Sequence, residues 1–301
     1  ASTVLGKLRQ VGLLAGKLGA HAVIDGGDFF HVKSPSRNTH DLVRRVADLH
    51  RESYSCPVYA NVGNHDVVYG DYDYLDQQPL GVLFSTGVFK RLYDEHEAVF
   101  EEGGLRVRIV GIPYHGTSYD RERFKSIKKG DEDFLVCVAH VLASPQGGSM
   151  FEGEDILRYS EVDEWAPDCW MFGHWHKDQG VKVTPGGKTI VNIGSLTRGA
   201  LSQDEVQRRP ACAVLTFEKN QPVQVQVARL KVAPAEEVFD VEGRARAEAR
   251  TTTMDTFVDS VRSRLVDTGE KELGTLVTEM EGVPERVRER VLLYLERAGT
   301  P

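Results

Sequence analysis

The chain has 301 residues and carries 37 Lys and Arg residues against 45 Asp and Glu residues. The resulting net charge of −8 argues against a protein that coats nucleic acid through bulk electrostatic attraction. No apolar run approaches the length of a membrane span, no secretory signal is visible, and the four cysteines lack C-x-x-C spacing. These features predict a large α/β domain with a small appendage, an intracellular location and no membrane partner.

Apolar periodicity alternates between helical and strand-like spacing along most of the chain. Residues 3–18 have the spacing of an amphipathic helix. A second helix, capped by Ser36 or Asn38, and a helical stretch over 75–84 are also predicted. The remaining apolar segments predict strands over 22–24, 58–62, 106–112, 134–138, 169–172, 181–183, 189–193, 211–217 and 223–232.

The composition changes near residue 236 and divides the chain. We predict an α/β domain over 1–235, a charged and Thr-rich linker over 236–254, and a helical segment over 255–301. The last helical pattern repeats apolar residues at Val287, Val291, Leu292 and Leu295. So short a helical segment buries little surface alone, so it is expected either to dock on a partner or to cap its own domain.

Four short polar clusters each follow directly on a predicted strand. They supply Asp28, Asn64 with His65, His140, and His174 with His176. Loops at the carboxyl ends of strands in an α/β sheet converge on one rim, so these side chains are expected to meet. Oxygen and imidazole donors without thiolates suit Mn²⁺, Fe²⁺ or Zn²⁺ in a hydrolytic site better than a structural zinc knot.

In this order and context the clusters resemble the motifs of the calcineurin-like metallophosphoesterases, which hydrolyse phosphoesters with a two-metal centre. The run Gly27-Asp28-Phe29-Phe30-His31, followed by Ser34-Pro35-Ser36, is similar to a motif of the Mre11/SbcD DNA-nuclease branch. The resemblance implies a two-sheet α/β/β/α metallophosphoesterase sandwich with a small C-terminal helical appendage. Residues 1–235 would then be the catalytic domain.

The resemblance also implies a metal-binding role for five residues. Asp28 would bridge two divalent metal ions, most favourably Mn²⁺, with Fe²⁺, Zn²⁺ or Mg²⁺ as alternatives. Asn64, His140 and His174 would complete the second metal site. His176 would reach the first, and its spacing from His174 fits this division because residues two apart in an extended segment point to the same side.

Other residues are expected on the substrate side of the cleft. By resemblance, His65 and His31 are catalytic: His65 stabilises the transition state or protonates the leaving oxygen, and His31 helps to place the scissile phosphate. Ser195 lies in a loop that resembles one wall of the family's cleft. Arg198 is within reach of a phosphate in that reading, although a surface arginine beside a turn is almost as common. His115 is a further candidate for the cleft lining.

One family motif is absent. The family opens with D-x-H after its first strand, and no D-x-H precedes Asp28. Either an N-terminal segment of about twenty to forty residues is missing from the sequence, or the first metal site is defective. The first alternative is favoured, because a sheet without its central strand would expose apolar edges and unpaired backbone.

The leading functional hypothesis is a Mn²⁺-dependent DNA exo/endonuclease of repair or recombination, acting with an SMC-like ATPase of the Rad50/SbcC type. The alternatives are a metallophosphoesterase with a small nucleotide or other phosphoester substrate, and a catalytically degenerate scaffold. A homodimer through helices over 38–51 and 73–92 is a weaker hypothesis. Its apolar face would consist of Leu42, Val46, Leu49, Leu80, Leu83 and Phe84, and packing of the same residues on the sheet is the favoured alternative.

Overall fold

The structure is a computed structural model. It describes residues 2–32, 38–68, 71–146, 153–198, 207–238, 277–278 and 284–298. The chain divides into two compact units, residues 1–233 and residues 234–301. Most of the predicted linker and most of the predicted helical segment lie outside the described residues.

The described residues of the first unit form four α-helices and thirteen strands. The helices are α1 (Ser2–Leu18), α2 (His40–Ser53), α3 (Pro79–Ser85) and α4 (Arg121–Lys125), and two 3₁₀ segments span Tyr72–Gln77 and Tyr159–Glu164. The strands are β1 (Val23–Asp25), β2 (Val58–Ala60), β3 (Phe89–Arg91), β4 (Ala98–Glu102), β5 (Leu105–Ile112), β6 (Phe134–Ala139), β7 (Ala143–Ser144), β8 (Leu157–Arg158), β9 (Cys169–Phe172), β10 (Gly180–Val183), β11 (Thr189–Asn192), β12 (Ala211–Thr216) and β13 (Gln224–Arg229).

Two sheets organise this unit. A three-stranded parallel sheet has the order β1-β2-β3, and a six-stranded sheet has the order β10-β11-β9-β6-β5-β4. In the larger sheet β11, β9, β6 and β5 are parallel, and antiparallel strands β10 and β4 form its edges. The pairs β12-β13 and β7-β8 complete the described strands.

The hydrophobic core lies in three layers around the two sheets. Val46 and Leu49 of α2 pack with Val58 and Ala60 on the outer face of the small sheet. Between the sheets, Ile24 and Tyr59 pack against a group that includes Val136 and Val138 of β6. The opposite face of the large sheet packs on a layer of aromatic side chains at Phe124, Trp165 and Trp170. The α/β/β/α sandwich predicted from the sequence is therefore confirmed.

Local sequence signals set the ends of the helices. The Thr39 hydroxyl accepts a hydrogen bond from Leu42 N at 3.2 Å and caps α2, which stabilises such a helix by about 1 kcal/mol. Asp41 lies in the first turn and Arg51 in the last, where each charge complements the helix dipole. Gly19, at φ +63°, follows the end of α1 in the left-handed conformation that glycine tolerates.

The side chains offered for a dimer interface pack in the chain's own core instead. Five are buried, namely Val46, Leu49, Leu80, Leu83 and Phe84, and Leu42 packs partly buried against the same cluster. The second predicted dimer helix also differs from the structure, since residues 73–92 divide into a 3₁₀ segment, α3 and β3. The homodimer remains a prediction, without these residues as its apolar face.

The second unit is helical where it is described. It contains α5 (Ala235–Val238) and α6 (Glu285–Ala298). Pro284 precedes α6 and its carbonyl accepts from Val287 N, which starts the helix at the predicted position. Across the described ranges, no helix combines the length and apolar character of a membrane span.

Candidate metal centre

The loops that carry the polar clusters are joined to one another at the ends of their strands. His140 N donates to Ile112 O at 2.9 Å, and Gly173 N donates to Ala139 O at 2.9 Å. The buried Asn61 amide joins the two sheets, because Nδ2 donates to Ile112 O at 2.9 Å and to Val138 O at 3.0 Å. The strand ends are therefore fixed relative to one another before any ligand binds.

Three predicted metal ligands converge at this point. Asp28, His140 and His174 each offer a ligand atom, and these atoms lie within 4.8 Å of one another. Oδ2 of Asp28 is 3.3 Å from Nε2 of His140, and Oδ1 of Asn64 is 3.4 Å from the same nitrogen. The rings of His140 and His174 have centroids 5.0 Å apart. The arrangement brings one carboxylate, one amide oxygen and two imidazoles together.

The donor atoms fit a divalent cation. Oδ2 of Asp28 is buried and accepts no hydrogen bond within the described residues, and Nε2 of His140 lies beside it at 3.3 Å. A buried carboxylate is costly unless its charge is compensated, and a cation bound by oxygen and imidazole donors would compensate it more fully than the imidazole alone. Asp28, Asn64, His140 and His174 are the residues that would hold it.

The electrostatic interaction between Asp28 and His140 favours the ionised form of the Asp28 carboxylate. Burial alone would raise the pKa of Asp28, but the adjacent His140 ring and the His65 N–H outweigh it and lower the pKa to about 2. Burial opposes a charge on His140, yet Asp28 raises the pKa of that imidazole above its ordinary value. The opposite directions of the two pKa shifts show that each side chain stabilises the charged form of the other.

The backbone adopts unusual conformations to bring these ligands together. Asp28 has φ +61° and His174 has φ +74°, both in the left-handed region that side chains rarely adopt. Such conformations cost about 1–3 kcal/mol each and persist where the surrounding structure holds them in place. Their occurrence at two of the three clustered ligands is consistent with a functional site.

Asp66, to which the sequence analysis gave no role, holds the first two loops together. Its side chain is 2% exposed and accepts from Asp28 N at 2.7 Å and from Gly63 N at 2.9 Å. Burial, followed by the nearby Asp28 charge, raises the pKa of Asp66 to about 7. The sequence signal was an Asp directly after Asn64-His65. Its role as the acceptor for two backbone N–H groups becomes visible only in the folded structure.

His65 and His31 lie side by side at the edge of the cluster. Their rings stack with centroids 5.1 Å apart and planes at 17°. Nδ1 of His65 is 2.6 Å from His31 O, so it donates to that carbonyl. Nε2 of His65 is then unprotonated in the neutral ring and lies 3.9 Å from Oδ2 of Asp28. Nε2 of His65 therefore lies beside the cluster, while Nδ1 is held by the His31 carbonyl.

His176 and the predicted wall loop are connected through the backbone. Ser195 N donates to His176 O at 2.9 Å, while the Ser195 hydroxyl donates to Thr197 O at 2.5 Å. Nη2 of Arg198 donates to Ala233 O at 2.8 Å. Burial lowers the pKa of His176, and Asp28 opposes that effect. The loop therefore lies beside His176, and the substrate roles of Ser195 and Arg198 stay predictions.

His115 is placed differently from the other candidates. Its ring packs against Tyr119 and Phe124, with centroids 5.7 and 6.0 Å away. Nδ1 lies 3.0 Å from Pro113 O, and burial lowers the pKa of the ring. Its contacts are with the aromatic layer of the core, and the neighbouring Tyr114 is the residue whose ring approaches His174, at 5.6 Å.

Glu154 is the second residue that the sequence gave no reason to select. Its Oε1 lies 2.8 Å from Nε2 of His174 and 3.0 Å from the Tyr119 hydroxyl. The side chain of Glu154 is 14% exposed and that of His174 is 13% exposed. An acidic side chain ahead of a short strand carries no recognisable signal, because its partner is twenty residues further along the chain.

The basic stretch over 121–129 is paired with acidic side chains. Arg121 bonds Asp155 and Glu161, and further pairs join Arg123 to Asp94, Lys125 to Glu122, and Lys129 to Asp168. Such pairing leaves little uncompensated positive charge for a phosphate backbone. The stretch therefore behaves as a solvated face of the domain.

Residues 4–178 match the calcineurin-like phosphoesterase family, which is more than half of the chain. The chain belongs to this family, and its class is that of metal-dependent phosphoester hydrolases. The resemblance predicted from the four clusters is thereby confirmed.

Three individual proteins are similar to the chain in sequence or in structure. The DNA double-strand break repair protein Mre11 of Haloferax volcanii is 28% identical over 183 residues, which are 60% of this chain and 37% of that protein. A putative 5′-nucleotidase from Staphylococcus aureus is 17% identical with a TM-score of 0.49, over 76% of this chain and 48% of its own. The NAD nucleotidase of Haemophilus influenzae is 11% identical with a TM-score of 0.43, over 98% of this chain and 54% of its own. The matched region is thus less than two thirds of each of these proteins.

Proposed function

We propose that the protein is a Mn²⁺-dependent phosphodiesterase that cleaves DNA, of the Mre11/SbcD type. The observation that carries the proposal is the convergence of Asp28, His140 and His174 around a buried carboxylate oxygen that accepts no hydrogen bond within the described residues. The similarity to an archaeal Mre11 over 183 residues supports a nuclease rather than another phosphoesterase. The Phe-Phe-His sequence after Asp28 supports the same branch.

The mechanism assigns different tasks to the clustered residues and to the stacked histidines. Divalent cations held by the cluster would neutralise the phosphate charge and acidify the attacking water. Asp28, Asn64, His140, His174 and His176 bind and orient in this scheme, and they transfer no proton.

His65 is placed to handle the proton of the leaving group. Its Nδ1–H is held by His31 O, which fixes the ring and directs Nε2 toward the cluster. When protonated, Nε2 can donate to the leaving oxygen, which is work for an imidazole near neutral pH. His31 stacks on this ring and limits its rotation.

A small phosphoester is the second candidate substrate. The observation that favours it is the neutralised basic stretch on a chain of net charge −8, since a DNA nuclease needs local positive charge along the backbone path. The third candidate, a degenerate scaffold, predicts a cluster that binds no metal ion tightly.

One assay separates the three candidates. The protein is incubated with Mn²⁺ and, in parallel, with end-labelled duplex DNA, bis-p-nitrophenyl phosphate and a nucleoside monophosphate. The proposal predicts Mn²⁺-dependent cleavage of DNA and of the diester, abolished by EDTA and strongly reduced by His65→Ala. Hydrolysis of the monophosphate without DNA cleavage supports the small-substrate alternative. Less than one tightly bound Mn²⁺ per chain supports the scaffold.

An ATPase partner of the Rad50/SbcC type belongs to the same proposal. It is supported by the Mre11 similarity and by the amphipathic spacing of Val287, Val291 and Leu292 on α6. Association of the full chain with such an ATPase in size-exclusion chromatography, lost in Val287→Glu/Val291→Glu, tests it. Co-elution that survives both substitutions would place the contact elsewhere.

A further inference from the structure

One ring nitrogen of His174 is hydrogen-bonded to a carboxylate. Nε2 of His174 lies 2.8 Å from Oε1 of Glu154, and both side chains are largely buried. A carboxylate oxygen can only accept, so the proton of the neutral imidazole is on Nε2. A protonated ring nitrogen has no free lone pair, which makes Nδ1 the only ring nitrogen that can bind a metal ion in this state.

Glu154 is itself fixed by a second hydrogen bond. The Tyr119 hydroxyl donates to the same Oε1 at 3.0 Å and accepts from Leu142 N at 2.8 Å. Leu142 is two residues beyond His140, so the network joins the loop of one candidate ligand to the imidazole of the other. Hydrogen bonding to two donors leaves Glu154 little freedom to turn away from His174.

The segment around Glu154 is anchored independently of the cluster. Asp155 N donates to Thr117 O at 2.8 Å, and the Asp155 carboxylate is bonded to Arg121. Leu157 N donates to Leu142 O at 2.9 Å. The backbone therefore holds the Glu154 carboxylate in position whether or not His174 is bound to it.

We infer that Glu154 is a positioning residue for metal binding, which holds His174 as the Nε2–H tautomer and so leaves Nδ1 available to the metal ion. The inference rests on the proposed metal-dependent function. Partners of this kind orient the ring and raise its basicity, and their loss commonly weakens metal affinity 10- to 100-fold. Glu154 would then matter for affinity without itself touching the metal ion or the substrate.

The first test reads the tautomer directly in metal-free protein. Long-range ¹H–¹⁵N spectra of histidine-labelled protein distinguish Nε2–H from Nδ1–H, and His174→Asn identifies the resonances of His174. The wild-type protein is expected to show the Nε2–H form. Glu154→Ala is expected to shift His174 to a mixture or to the Nδ1–H form, whereas Glu154→Gln retains an acceptor and keeps most of the wild-type form.

The second test measures Mn²⁺ affinity by calorimetry on the same proteins. Glu154→Ala should weaken binding about 10- to 100-fold, Glu154→Gln less, and the exposed control Glu122→Gln should bind like wild type. Tyr119→Phe removes one donor to Glu154 and should have a smaller effect than Glu154→Ala. Thermal melting of each variant shows whether the fold is retained, and Glu154→Gln keeps the test decisive if Glu154→Ala unfolds.

Two results would overturn the inference. One is a Glu154→Ala protein with the wild-type tautomer and the wild-type Mn²⁺ affinity. The other is a Glu154→Ala protein that loses a whole equivalent of Mn²⁺ while its His174 tautomer is unchanged, which would make Glu154 a ligand. A wild-type protein that binds no Mn²⁺ contradicts the proposed function instead, and the tautomer measurement still decides whether Glu154 sets the ring.

Discussion

Gly27 lies so close to His140 that a Cβ added to it would stand 2.6 Å from Nδ1 of the imidazole. The same Cβ would be 2.7 Å from Gly63 N, and the residue has φ +99°. Both the space and the backbone conformation therefore require glycine, and both requirements come from the loops that carry the candidate ligands.

Gly27→Ala should destabilise the protein by about 2–4 kcal/mol, because it combines backbone strain with overpacking against backbone and imidazole. It should also weaken Mn²⁺ binding, since His140 must move. Gly6→Ala is the control, because its Cβ meets nothing within 4 Å on an exposed helical position, and it should stabilise by about 0.5–1 kcal/mol. Urea unfolding measures the free energy of unfolding of both variants. Equal values for Gly27→Ala and Gly6→Ala would contradict this account of the Gly27 loop.

Asn61→Leu tests the connection between the sheets. The substitution removes the Nδ2 donor from Ile112 O and Val138 O in a fully buried position, although Ile112 O keeps His140 N as a donor. It also leaves Val62 N without the Asn61 Oδ1 acceptor, and we expect a loss of about 2–4 kcal/mol in the free energy of unfolding. Arg9→Gln removes an exposed ion pair with Glu52. This control should change the free energy of unfolding by less than about 0.5 kcal/mol. If Asn61→Leu lowers the free energy of unfolding by no more than Arg9→Gln does, the Asn61 amide does not join the sheets.

Neutralising the basic stretch should leave DNA cleavage unchanged. Lys125 pairs with Glu122 and Lys129 pairs with Asp168, so Lys125→Gln/Lys129→Gln removes no uncompensated positive charge from a DNA path. The rate of DNA cleavage and its dependence on salt concentration are the measurements. A salt slope that falls by about one for each lysine removed would show that these residues contact phosphates after all.

Much of the fold could be predicted from the sequence because the buried strands are nearly uninterrupted apolar runs. The expected strand over 134–138 corresponds to β6, which is buried along its whole length. In contrast, β4 and β3 were missed. Ala98–Glu102 is an edge strand with polar, exposed residues, and Phe89–Arg91 has only three residues, so neither carries enough periodicity to be recognised.

The residues of the candidate site also differ in how well the sequence predicts them. Asp28, His140 and His174 were found because each follows a strand, and strand ends meet at one rim of the sheet. Glu154 and Asp66 were missed because their importance comes from hydrogen bonds across loops rather than from any local pattern. His115 shows the converse: a histidine beside a strand end whose ring packs in the core.

The most direct test of the account compares Mn²⁺ content and diester hydrolysis in three single variants. A methyl group cannot bind a metal ion in place of a carboxylate or an imidazole, so Asp28→Ala and His174→Ala should lose bound Mn²⁺ together with activity. His65→Ala should keep the wild-type Mn²⁺ content and lose turnover, because the role proposed for its imidazole is at the phosphate and not at the metal ions.

Metal analysis of the purified proteins by mass spectrometry is the decisive measurement. The account predicts wild-type Mn²⁺ in His65→Ala and depleted Mn²⁺ in His174→Ala. Depleted Mn²⁺ in His65→Ala with normal Mn²⁺ in His174→Ala would contradict it.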